Sequence, residues 1–418
     1  MSLTRREFIK TTTAASLAAA LPRISGAYAA GSDTIRVGVV GCGGRGTGAA
    51  IDCLNSSSGV EVMAMFDLFM DRIESSLKTI KEKHPDKVNV TPERMFTGFD
   101  GYKDLCALPE VNLVVMASPP GFRPIQLKAA VEGGKNVFME KPVAVDPVGI
   151  RSVIASADLA AKKGLAIVAG TQRRHQARYL ELMKRIQEGA IGDLVGGQCY
   201  WNQGDLWVKP REPGMSEMEW QCRNWLYFTW LSGDHIVEQH VHNIDVVNWA
   251  FRALPVKVMG MGGRQARTGP EFGNIYDHFA VEFEYPNGVR VMSMCRQTKG
   301  AADRVEERLV GTKGVAFGYG EIQGSSVWKF EAEEPNPYVQ EHADLIAGIR
   351  AGKPLNEARQ VAESTMCAII GRMSAYTGRA INWDWAVNSS QLDLTPKNFE
   401  FGPNPVDPVA VPGFTQLV

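Results

Sequence analysis

The chain has 418 residues, with 45 Lys and Arg against 46 Asp and Glu and a net charge of −1. No basic stripe or Lys/Arg block follows the first thirty residues, which argues against a nucleic-acid partner, and no later apolar stretch reaches the length of a membrane span. With 44% hydrophobic and 22% charged residues, the composition is that of a globule long enough for two domains.

Residues 1–29 read as an export leader. Thr4-Arg5-Arg6-Glu7-Phe8-Ile9-Lys10 form a twin-arginine signal, Thr11 to Leu21 is a mild apolar stretch, and Ala27-Tyr28-Ala29 is a small-residue cleavage site. An address of this kind is read by a receptor and leaves no anchor. The expected place of action is therefore the periplasm or the cell exterior, reached after folding. The seven cysteines (Cys42, Cys53, Cys106, Cys199, Cys222, Cys295 and Cys367) contain no C-x-x-C. They read as buried small residues rather than a disulfide framework.

From Ile35 apolar strands alternate with helical stretches, which predicts a parallel, doubly wound sheet. Strand Ile35 to Val40 feeds directly into Gly41-Cys42-Gly43-Gly44-Arg45-Gly46, a G-x-G-x-x-G turn that opens a helix. In a dinucleotide fold Gly41 allows the turn, Gly43 lets a pyrophosphate approach bare backbone, and Gly46 lets helix and strand pack closely. Free N–H groups of the helix N-terminus then face the phosphates. Strand Val60 to Phe66 ends at Asp67, about 20 residues on, where a ribose-binding acid is expected. Its charge would repel a 2′-phosphate, so NAD is favoured over NADP. Helix 72–81 follows, then strand 111–117 ending in Ser118-Pro119-Pro120, helix 126–132, and strand 136–139 ending in Glu140-Lys141-Pro142. Helix 148–163 and strand 165–169 lead to Gln172. Gly41, Asp67, Ser118, Pro119, Glu140, Lys141 and Gln172 all lie at carboxyl ends of strands, where such sheets bind ligands. Proline keeps Lys141 out of helical backbone and so aims its side chain.

After helix 176–188 long strands dominate, at 196–201, 256–261, 280–285 and 289–297, with a Pro286-Asn287-Gly288 hairpin turn. They predict an open, largely antiparallel sheet, followed by helices 339–351 and 358–376. The Pro-rich tail from Gly402 to Gly413 reads as an extended arm over the surface or a partner subunit. The division expected is the leader at 1–29, a Rossmann domain at 30–155, and a substrate and oligomerisation domain at 156–418.

Between the first two long strands lies Asp234-His235-Ile236-Val237-Glu238-Gln239-His240-Val241-His242-Asn243-Ile244-Asp245. As one helix it would align His235, Glu238, His242, Asp245 and Trp249 on one face. Glu238, one turn from His242, could orient that imidazole as a general base titrating near neutral pH. A zinc site has the same ligand types, but His240 and His242 diverge on a helix, and no metal is assigned. A structural hydrogen-bond network is the remaining reading. Arg173, Trp201 and Arg223 stand in stretches rich in tryptophan and hydroxyl-reading groups. With Asp245 they are the candidates for contact with a carbohydrate.

Taken together, the glycine turn, Glu140-Lys141-Pro142, His242-x-x-Asp245 and Gly311-Thr312-Lys313-Gly314 make the chain resemble the glucose–fructose oxidoreductase/inositol dehydrogenase (Gfo/Idh/MocA) family. The resemblance implies a Rossmann domain and an α/β domain whose open sheet commonly mediates homo-oligomer contacts. It also implies NAD(P)-dependent oxidation or reduction of a sugar or polyol hydroxyl, with Lys141 and His242 in the catalytic positions. Glu238 stands where many members have aspartate, and Arg123 where many carry histidine. No haem, iron–sulfur or flavin signal supplies a route to reoxidise NADH outside the cytoplasm. Redox-neutral glycoside cleavage through a transient keto-sugar, and a sensor that holds NAD and sugar without turnover, are the alternatives.

Overall fold

The computed structural model describes residues 33–418, so the leader lies outside the described residues. The first sheet contains β1 (Ile35–Val40), β2 (Val60–Phe66), β3 (Met95–Phe96), β4 (Leu113–Met116), β5 (Asn136–Met139) and β6 (Ile167–Ala169). They pair in parallel in the order β3-β2-β1-β4-β5-β6. The order reverses between β1 and β4, which opens a crevice at their carboxyl ends. Strands such as Leu113–Met116 are buried throughout because helices cover both faces. Those helices include α1 (Gly44–Ser56), α2 (Met70–Lys83), α3 (Gly101–Ala107), α4 (Arg123–Glu132) and α5 (Pro147–Lys163). Asp146 caps α5 by accepting from the Gly149 N–H at 2.6 Å, and Gly164, at φ 68°, ends it.

After α6 (Ala177–Gln187), strand β7 (Leu194–Gln203) enters a second sheet. Helices α7 (Glu217–Arg223), α8 (Thr229–Ser232), α9 (His235–Glu238) and α10 (Val241–Phe251) come next. Then follow β8 (Lys257–Gly263), β9 (His278–Glu284), β10 (Arg290–Gln297), β11 (Arg304–Gly311), β12 (Gly314–Phe317), β13 (Glu321–Gly324) and β14 (Trp328–Lys329). The chain continues through α11 (Pro337–Arg350), α12 (Ala358–Thr377), β15 (Ile381–Asn382) and α13 (Trp383–Asn388). Nine strands pair in the order β14-β13-β12-β11-β7-β10-β9-β8-β15. The sheet is antiparallel except for β7 against β10. Along β9, Phe279, Val281 and Phe283 alternate into the core, while the opposite face of the sheet exposes Met259, Met261, Met292 and Met294.

The structure moves the expected boundary at 155, which falls inside α5. Pairing of β6 with β5 carries the first domain to Ala169. Helix α11 also returns to that domain: its Leu345, Ile346 and Ile349 join the core beneath β1 and α1, and His342 lies 3.9 Å from the Phe138 ring of β5. An amphipathic helix docks where its apolar stripe is buried, and sequence order does not decide which sheet that is. All seven cysteines are buried and none is bridged.

Candidate functional site

The glycine turn has the geometry of a phosphate cradle. Gly41 adopts φ +91°, and a Cβ there would strike the Ser118 backbone. A Cβ on Gly46 would strike the Gly41 carbonyl oxygen, whereas Gly44 borders open space. Helix α1 begins without a side-chain cap, so its first-turn N–H groups remain for an anion. Asp67 lies at the end of β2, with Oδ2 accepting from the Cys42 N–H at 2.8 Å and Oδ1 from the Phe69 N–H at 3.1 Å. It therefore shapes the turn from the position where it would meet a ribose, and burial raises its pKa. These residues fit a dinucleotide.

Arg45 presents backbone rather than charge to that cradle. Its guanidinium turns back to Glu140 at 2.5 Å, Asp52 at 3.6 Å and Glu341 at 3.8 Å, over the Tyr338 ring. Ser118 is fixed by its hydroxyl on Gln126 and by Arg123, which donates to the Met116 and Ser118 carbonyls at 2.7 Å each. Arg123 is fully buried, and its pKa is lowered to about 10 by that burial. Arg123 is thus a pin at the end of β4. Gln172 donates to the Tyr338 hydroxyl at 3.4 Å, and its Oε1 is buried without a partner among the described residues.

Lys141 leaves the end of β5 and crosses to the second domain. Its Nζ donates to the Glu238 carbonyl at 2.6 Å and to Glu238 Oε1 at 3.2 Å. Glu238 Oε2 is buried with no partner among the described residues. His242 lies within the field of this lysine and stacks on Trp201, with ring centroids 5.6 Å apart and an interplanar angle of 22°. Burial first, then the charges of Lys141 and Arg173, lower its pKa well below 6.5. The imidazole is therefore neutral and able to accept a proton. Arg173 is paired with Glu307 and lies 5.8 Å from the Trp201 ring on its guanidinium side. Lys141, Glu238, His242, Trp201 and Arg173 thus come together.

Other expectations change. The His235 to Asp245 segment is two short helices rather than one, broken at Gln239 and His240. His240 is drawn to Ser293 of β10 at 2.7 Å, and Asn243 to Glu307 at 2.6 Å, so contacts with the sheet override helix continuity. Glu238 contacts Lys141, and the expected Glu238 to His242 pairing gives way because the ammonium is the stronger donor. Asp245 accepts both guanidinium bonds of Arg174, at 2.8 and 2.9 Å, and the Ser364 hydroxyl at 2.7 Å. It is a buried tie between elements and has no free face for substrate. Arg223 lies over the Phe69 ring at 3.8 Å and is bonded to Asp71 and Glu219. That position is at the Asp67 end of the crevice, remote in function from Lys141. Sequence reasoning passed over Arg72, whose guanidinium lies 3.2 Å from the position of a Gly43 Cβ. Its spacing of five from Asp67 was the available signal.

Comparison with known proteins identifies the two domains. Residues 35–171 match the Gfo/Idh/MocA profile described as an oxidoreductase family with an NAD-binding Rossmann fold, and residues 179–317 match the C-terminal domain of the same family. A glycosyl hydrolase family 109 protein of Streptomyces niveus is 27% identical over 305 residues, 69% of this chain and 59% of that protein, so the match spans about three fifths of that relative. An inositol 2-dehydrogenase of Acidothermus cellulolyticus is 25% identical over 73% of this chain and 79% of its own length. Among solved structures, scyllo-inositol dehydrogenase from Lactobacillus casei with bound NAD(H) and scyllo-inositol superposes with a TM-score of 0.64 at 17% identity, covering 84% of this chain and 99% of that one. With both domains matched in order and the glycine turn, Asp67 and Lys141 assembled in one crevice, the chain belongs to the Gfo/Idh/MocA oxidoreductase family, with that family's NAD-binding Rossmann domain.

Proposed function

We propose that the protein is an NAD-dependent oxidoreductase acting on a sugar or polyol hydroxyl, with a tightly held cofactor. The observation that carries this reading is the buried Lys141–Glu238 pair beside a neutral His242, at the strand end next to the phosphate cradle. A bound nicotinamide supplies the hydride acceptor or donor. His242 takes the proton of the reacting hydroxyl. Two of the Lys141 N–H groups are fixed by Glu238, and a third remains to steady charge on the substrate oxygen. Glu238 Oε2 is placed to accept from a hydroxyl, and the Trp201 ring offers an apolar face to the C–H side of a sugar.

The relative named as a glycosyl hydrolase family 109 protein favours a second reading, redox-neutral glycoside cleavage through a transient keto-sugar, which needs no external oxidant. The leader at 1–29 supports action in the periplasm or outside the cell, where such economy of cofactor matters. The exposed Met259, Met261, Met292 and Met294 face supports a homo-oligomer built through the open sheet.

The test is to add polyols, sugars and glycosides to purified protein and follow absorbance at about 340 nm. A change in that band is the expected result. Released monosaccharide without net NADH selects the redox-neutral reading, and saturable binding with neither selects a sensor. The pH profile checks the proton acceptor separately. Because His242 is held neutral by burial, kcat/KM is expected to stay flat from about pH 8 to about pH 6. A fall centred near the ordinary histidine value would remove His242 from that role.

A further inference from the structure

The segment after α13, residues 389–418, runs over both domains as a strap. Its Leu394 N–H donates to Asp146 of the first domain at 2.8 Å, and its Gly402 carbonyl accepts from the Met218 N–H of the second at 3.1 Å. Asn404 and Gln221 exchange two hydrogen bonds, at 2.5 and 2.8 Å. Farther on, Ala410 accepts from the Tyr276 hydroxyl at 2.8 Å. Between these attachments the strap arches over a cavity of about 1010 Å³ bordered by Trp230, Asn274 and Tyr376. Leu392, Val409, Ala410 and Leu417 also pack against the core, while Asp407 and Pro408 are exposed.

Between the Asp146 and Met218 attachments it carries Phe399 and Phe401, and both rings reach the Asp67 end of the crevice. Phe401 stacks on Phe69 with centroids 5.7 Å apart and lies 5.1 Å from Phe99. Phe399 lies 5.9 Å from Phe99 and 5.7 Å from Phe122. Phe69 follows Asp67 by two residues and donates its N–H to that carboxylate. Phe99 belongs to the loop after β3, the strand beside β2. The strap therefore touches the two loops that border an adenosine held at Asp67. Phe401 remains 47% exposed, which places it at the mouth rather than in the core.

We propose that Phe399 and Phe401 form the outer wall of the adenosine site, so that the strap must lift before NAD leaves and sets the rate of its release. This rests on the reading that Asp67 and the glycine turn hold the dinucleotide. The adenine ring is the chemical group recognised, through stacking and apolar contact. Arg223, 3.8 Å from the Phe69 ring centroid, anchors the same wall from the second domain.

The test loads the full-length holoprotein with labelled NAD and follows its exchange against excess unlabelled NAD. The Phe399→Ala/Phe401→Ala variant is expected to release NAD at least about tenfold faster, with its melting profile in the absence of nucleotide recorded separately to report the stability lost with the rings. Release within twofold of the parent rate would overturn the proposal. If the alanine pair fails to fold, Phe399→Leu/Phe401→Leu is read by the same criteria, since it keeps apolar bulk and removes the stacked rings. A parent protein that takes up no NAD would instead overturn the cofactor reading itself, and the two failures are thereby distinguished.

Discussion

Lys141→Met is expected to lower turnover by about a thousandfold, at the upper end of what removing one charge-stabilising donor costs, while the purified protein still carries its nucleotide. The reason is local. Methionine keeps the length and apolar stem of the side chain, so the packing at the end of β5 survives. It removes the ammonium that Glu238 fixes with two hydrogen bonds. A thousandfold corresponds to about 4 kcal/mol of lost transition-state stabilisation, more than substrate positioning alone would cost at an exposed site. Two measurements separate the causes. NAD content by absorbance and mass should match the parent, because the phosphate cradle is built from Gly41 to Gly46 and does not include the lysine side chain. The single-turnover rate should fall with kcat, because the lesion is in the chemical step. Activity within tenfold of the parent would remove Lys141 from the role of steadying charge on the substrate oxygen.

What was legible in the sequence follows from how locally each feature is specified. The glycine turn, Asp67 and Glu140-Lys141-Pro142 are set by a few adjacent residues at strand ends, and the structure places all of them around one crevice. The long strands of the second sheet were also readable, because alternation along β9 is a property of seven consecutive residues. Side chains that reach between elements were not. Asp245 has the chemistry of a substrate ligand, but Arg174 and Ser364, far apart in the chain, occupy its oxygens. Arg223 has the chemistry of a sugar contact, but Phe69 and Asp71 occupy it. The partner of Glu238 changed from His242 to Lys141 because a contact between domains outcompetes one along a helix that is itself broken. The strap had no periodicity to read, and its role depends on where Phe399 and Phe401 land.

Gly46→Ala tests the cradle at its tightest point. The substitution adds one methyl group to the first turn of α1, where helical backbone tolerates alanine well, so propensity alone would make it stabilising. Close packing reverses the sign. The new Cβ falls on the Gly41 carbonyl oxygen, and the neighbouring Ala117 side chain lies 3.4 Å away. The carbonyl belongs to a residue held at φ +91° against Ser118, so it cannot move aside without disturbing the strand end that carries Ser118. The helix must shift outward instead, and overpacking of this kind costs about 1–3 kcal/mol. The same shift carries the first-turn N–H groups away from the pyrophosphate. The expected result is a protein that folds with a lowered melting temperature and purifies without NAD, its affinity for added NAD reduced by about a hundredfold or more. Gly44→Ala is the matched control, because no atom lies within 4 Å of its Cβ position. It should fold as the parent does, and any loss of NAD in it would report the phosphate approaching that backbone rather than a displaced helix. Full retention of nucleotide in Gly46→Ala would mean that the helix start does not carry the pyrophosphate, and the cofactor would have to be held by another part of the crevice.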